Sequence, residues 1–155
     1  MKTMWITSTL LLAAALAGCG GSEVRNAYEG ADRADSEVAI LFTPKEGVYS
    51  DKRRWALFSA IDGKPLGTYM DGYPTATRVL PGTYMLKVKC LDPQLQSPQN
   101  SGRWDSFLLF RATVQAGHFY ELACDFINAS AIDRGTRYES VKDLLPPAAV
   151  EKLRR

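Results

Sequence analysis

Apolar and polar positions alternate with period two through most of the stretch 37–126, in short runs separated by turn residues, which is the signature of β-strands with one buried face. Val38, Ile40 and Phe42 interleave with Ala39 and Leu41, and Pro44-Lys45-Glu46-Gly47 ends that run. Trp55–Ile61 is apolar on both faces and is followed by Asp62-Gly63, a strong tight-turn dipeptide. A run from Lys64 to Met70 leads to Asp71-Gly72 and Pro74, and Thr75 to Leu80 leads to Pro81-Gly82, whose glycine can supply the positive φ of a type II turn. The clearest alternation is 83–91, where Tyr84, Leu86, Val88 and Cys90 oppose Met85, Lys87 and Lys89.

Past Leu91 the chain turns polar and proline-broken over 92–102, a loop long enough to be functional or mobile in a compact domain. Phe107 to Val114 resumes as a strand with Leu108, Phe110, Ala112 and Val114 on one face. Ala116-Gly117 then predicts a hairpin into 118–126, where Tyr120, Leu122, Cys124 and Phe126 share a parity. A last extended piece is expected at 136–141, and Pro146 opens a short C-terminal helix ending near Leu153. About seven strands, most with one apolar face, are best satisfied by an all-β fold of two antiparallel sheets packed as a β-sandwich, with a barrel as the alternative.

The first eighteen residues follow another pattern. One positive charge, Lys2, precedes an uncharged apolar run from Trp5 to Leu16, too short to span a bilayer and closed by Gly18. This reads as a secretory signal peptide over 1–18. Leu16-Ala17-Gly18-Cys19 resembles the lipobox of bacterial lipoproteins. That resemblance implies cleavage before Cys19, a diacylglycerol thioether on its sulfur and usually a further acyl chain such as palmitate on the new amino group. With two or three chains the protein would be held stably on a membrane. Gly20 stands where many such lipoproteins retained in the inner membrane carry aspartate, which by resemblance implies the outer membrane, facing the periplasm. The polar stretch 19–36 is expected to be a flexible tether, 37–145 the sandwich, and 146–155 a helical tail.

Removal of the signal leaves one domain's worth of chain, with 18 basic against 17 acidic residues once Lys2 is gone. Near-neutrality argues against nucleic acid as a partner, since such proteins show a basic stripe. With Cys19 assigned to lipid, Cys90 and Cys124 remain, both at core-facing parity in an oxidising compartment. A disulfide between them would contribute about 4 kcal/mol in the chain-entropy picture; two buried thiols are the alternative.

Glu37-Val38-Ala39-Ile40-Leu41, Leu80-Pro81-Gly82-Thr83-Tyr84-Met85-Leu86-Lys87-Val88 and Val114-Gln115-Ala116-Gly117-His118-Phe119-Tyr120-Glu121-Leu122 resemble a group of small bacterial lipoproteins with transthyretin-like or PEGA-like β-sandwich domains. These phrases specify turns and core positions, so the resemblance implies a fold and hardly an activity.

Candidate chemistry is sparse. His118 is the one histidine, and neither a hydrolytic triad nor close-spaced zinc ligands surround it in sequence. Asp32, Asp35 and Glu37 lack the spacing of a calcium loop, and a phosphate-binding glycine loop is absent. Asn128-Ala129-Ser130 matches a glycosylation acceptor without meaning in a bacterial lipoprotein. Neither a metal nor a cofactor is therefore expected, nor an enzyme. Tyr69, Tyr73, Trp104 and Phe107 flank turns and the long loop, where they would either close the core or form a contact patch. The expected function is a lipid-anchored, non-enzymatic adaptor that binds an envelope protein through loops 62–74 and 92–105. A carbohydrate or small-ligand module, with Trp104 stacking on a sugar, is the alternative.

Overall fold

The computed structural model of the protein describes residues 24–44, 55–67, 73–91, 106–125 and 127–153. Within them the chain forms β1 (Val24–Asn26), β2 (Ala39–Phe42), β3 (Trp55–Ile61), β4 (Lys64–Pro65), β5 (Ala76–Val79), β6 (Gly82–Leu91), β7 (Ser106–Val114), β8 (Phe119–Cys124), β9 (Ala129–Asp133), α1 (Tyr138–Val141) and α2 (Pro147–Leu153). The strands make a five-stranded sheet, in the order β1-β5-β2-β8-β9, and a four-stranded sheet, in the order β4-β3-β6-β7. The architecture is the expected all-β sandwich with a short C-terminal helix.

Strand parity decides what each sheet buries. Leu41 on β2, Phe58 on β3, Leu86, Val88 and Cys90 on β6, and Leu122 and Cys124 on β8 meet between the sheets. The opposite parity of the five-stranded sheet is also apolar: Val24, Ile40, Phe42 and Phe119 pack with Val141, Ala149 and Leu153 of the C-terminal helices and with Leu145 of the turn between them. The molecule thus has three layers, and that accounts for β2 being buried at all four positions.

Several expectations change. Nine strands among the described residues replace about seven, because β1 and β9 are too short and too polar to show a period. The pairing is not purely antiparallel: β1 runs parallel to β5 and β2 parallel to β8. Such pairs form where strands distant in sequence meet, as Ile40 does with Phe119. Ala116-Gly117 does not close a hairpin, since β7 pairs with β6 in one sheet and β8 with β2 and β9 in the other. The turn instead carries the chain between sheets. Gly117, at φ 75°, donates its N–H to Val38 O at 2.7 Å.

Residues 136–141 are not extended: α1 begins at Tyr138, and Val141 points into the second core. Nor is 24–36 a tether. Val24 is buried in β1, and Arg25 donates across the sandwich edge to Leu66 O. Residues 19–23 of the expected tether lie outside the described residues. The helical 147–153 segment is a layer of the fold, not an appended tail.

Two turns form as their residues dictate. Asp62 and Gly63 both take positive φ, 47° and 78°, the requirement of a type I′ hairpin between β3 and β4. Asp125 joins β8 to β9 by accepting the N–H groups of Ile127 (2.7 Å) and Asn128 (2.6 Å). Cys90 and Cys124 form a disulfide that ties the two sheets together.

Candidate functional site

The outer face of the four-stranded sheet is built by the parity that the core does not use. Thr83, Met85, Lys87 and Lys89 of β6 stand there beside Thr113, Arg111, Leu109 and Phe107 of β7, in antiparallel register that sets Met85 opposite Arg111, Lys87 opposite Leu109 and Lys89 opposite Phe107. None of these eight residues is acidic. Met85 is 40% exposed, Phe107 51% and Leu109 67%. Residues two apart on one strand, or diagonal across a pair, are close neighbours, so the three form one patch rather than isolated exposures. The Lys87 ammonium lies 4.8 Å from the Phe107 ring centre and that of Lys89 5.8 Å from the Tyr73 ring. The face therefore offers apolar area framed by cations, an arrangement that marks interaction surfaces.

His118 lies elsewhere, at the start of β8. Its Nδ1 is 3.0 Å from Asp133 Oδ2 and its ring stacks on Tyr120 at 6.2 Å between centres. Register explains the group, because Tyr120 pairs with Asp133. Burial pushes the Asp133 carboxyl up, but the Gly135 N–H at 2.7 Å and His118 outweigh it, so its pKa falls below the ordinary 3.8. Burial and then the Asp133 charge raise the Tyr120 hydroxyl, against the opposing Gln115 N–H that it accepts at 3.0 Å. These bonds clamp β8, β9 and the incoming turn, a bracing arrangement.

No known protein family, curated protein or solved structure matches this chain.

The residues singled out in sequence fall in different places. Cys90 and Cys124 are bridged. Tyr73 is half-buried with Lys89 over its ring, while Cys19, Tyr69, Trp104 and the loop 92–105 lie outside the described residues. Among the described residues no helix is long and apolar enough to cross a membrane, and no group of three or more His, Cys, Asp or Glu is placed to hold a metal ion. Sequence reasoning missed Met85, Leu109 and Arg111. The available signal was Phe107 and Leu109 on the parity opposite Leu108 and Phe110, a strand apolar on both faces but with a sheet covering only one.

A second feature is a polar cleft of about 510 Å³ at the β1 edge of the five-stranded sheet, walled by Asn26, Asp32, Asp35, Arg78 and Lys152 among others. In β5, Arg78 pairs in register with Asn26. It donates through Nη2 to Arg33 O and to Asp35 Oδ1, the latter at 2.5 Å.

Proposed function

We propose that this protein is a lipid-anchored lipoprotein of the bacterial cell envelope, tethered through Cys19 on the periplasmic side of the outer membrane, and that it acts without catalysis as an adaptor for a protein partner. The anchor reading is supported by the order Lys2, apolar run, Leu16-Ala17-Gly18-Cys19. A disulfide between Cys90 and Cys124 fits an oxidising compartment. The adaptor reading is carried by one observation: the contiguous exposure of Met85, Phe107 and Leu109 among Lys87, Lys89 and Arg111.

That chemistry selects an apolar partner surface rimmed by carboxylates. Apolar area supplies affinity on docking, while the cations steer encounter and reject basic competitors. The docking surface in this reading is the sheet face, while loop 92–105 and residues 68–72 of loop 62–74 lie outside the described residues. The transthyretin-like resemblance adds nothing about the partner.

Crosslinking from native membranes through a photoreactive residue at position 109 tests this reading. A specific adduct that disappears with Leu109→Asp and with Cys19→Ser is the expected result. Recovery of the same adduct from Leu109→Asp protein would overturn the adaptor face, and a Cys19 found unmodified by mass spectrometry would overturn the anchor.

A further inference from the structure

The cleft at the β1 edge is preformed by bonds that do not depend on a ligand. Tyr28 Oη accepts the Arg33 N–H at 3.2 Å, and Glu37 Oε2 accepts the Ala34 N–H at 3.1 Å, so the wall 32–35 is held in place. Asn26 Nδ2 donates to Asp32 at 2.5 Å, and the Lys152 ammonium donates to Val24 O at 3.3 Å across the opposite rim. Both signs of charge are therefore presented within one cavity: Arg33, Arg78 and Lys152 against Asp32 and Asp35.

One donor is left over. Arg78 Nε is buried without a hydrogen-bond partner among the described residues, although the same guanidinium serves Asp35 and Arg33 O through Nη2. A buried N–H of a charged group left unpaired is costly, and most such groups in folded proteins have a partner. With a small shift of the Arg78 side chain, an anionic oxygen entering the cleft that Arg78 lines would supply it, with Lys152 as the second cation. The carboxylates of Asp32 and Asp35 would repel a simple dianion but favour one that brings its own cation.

We propose that this cleft binds a phosphate ester carrying a primary amine, of the phosphoethanolamine type. Phosphate oxygens accept from Arg78 and Lys152, and the ammonium donates to Asp32 and Asp35. Two sources share that chemistry, a lipid headgroup and a free metabolite. The lipid source rests on the anchor reading above: β1 starts at Val24, five positions after Cys19, and five extended residues reach no more than about 18 Å. The β1 edge would then be held close to the headgroups, with the cleft beside it.

The test uses the chain carrying Cys19→Ser, which bears no acyl group, so it remains readable if the anchor reading fails. Titration with O-phosphoethanolamine, followed by amide NMR, should shift residues 24–26, 32–35 and 152–153 saturably and leave 107–111 unmoved. Lys152→Glu, at an exposed position, should weaken binding at least tenfold with the spectrum otherwise unchanged. Asp32→Asn should bring the affinity down to that for inorganic phosphate. Absence of saturable shifts, or equal affinity in Lys152→Glu, overturns the site. Flotation with phosphatidylcholine vesicles, with and without phosphatidylethanolamine, separates the sources. Retention only by the second kind supports the headgroup, whereas binding of the soluble ester without retention overturns the lipid source and leaves the free ester as ligand.

Discussion

The two outer faces of the sandwich begin from the same strand alternation and end differently. On the five-stranded sheet, Ile40, Phe42 and Phe119 are covered by Val141, Leu145 and Ala149, and the result is a second core. On the four-stranded sheet, Phe107, Leu109 and Met85 stay in solvent with cations between them. Covering a face also changes which charges it tolerates. Glu121, at the parity of Phe119, is buried, and Arg134 meets it at 2.8 Å through Nε and at 2.5 Å through Nη2. The open face instead carries unburied cations, whose hydration costs the fold nothing. An apolar position is part of a core on one side of this molecule and exposed on the other.

That contrast can be broken by substitution. The largest effect is expected from the link between the layers: replacing Cys90 and Cys124 together by alanine should lower stability by about 4 kcal/mol, read from urea unfolding of the oxidised protein and the double variant. Leu145→Ala, at a fully buried position of the covered face, should cost about 3 kcal/mol. Leu109→Ala, on the open face, should stay within about 0.5 kcal/mol of wild type while capture of the partner falls. Equal losses at 145 and 109 would erase the distinction between the faces. Arg134→Ala removes the ion pair that Arg134 makes with the buried Glu121 and should cost about 2 kcal/mol, discounted because Arg134 is itself partly exposed.

The smallest expected effect concerns pH. Burial opposes ionisation of Asp133, but the Gly135 amide and His118 prevail and depress its pKa. The stability it carries is therefore complete above the ordinary 3.8 and is lost as the pH falls through the lower, folded value. Asp133→Asn should reduce stability at neutral pH and flatten the decline below pH 3.8. An unchanged acid limb in a pH series of thermal unfolding would remove Asp133 from the clamp.

The long strands were legible because alternation is a local property: β3, β6 and β7 fall where the runs at 55, 83 and 107 put them, and the inward parity of Cys90 and Cys124, with an oxidising compartment expected, put their bridge beside two buried thiols as the readings the structure decides between. Elements whose stability comes from elsewhere were not legible. Val24–Asn26 is a strand because β5 offers it an edge, and Ala129–Asp133 because β8 does. Tyr138–Val141 is helical because its apolar residue must reach the outer face of a sheet that sequence alone did not place. The same holds for function. The open face was hidden because exposure depends on which sheet the helices cover, and the cleft because Asn26, Arg78 and Lys152 are brought together only by tertiary structure.

Lys152 touching Val24 O also bears on how the protein is made. Synthesis runs from the N-terminus, so β1 and the apolar parity of β2 are present long before α2 follows to cover them. The first strand waits for the last helix, and non-local closure of this kind slows folding and prolongs exposure of apolar surface. Until residue 153 has arrived, the face that becomes the second core resembles the open one, and the nascent protein presents two apolar sheet faces where the finished fold leaves one of them exposed among the described residues.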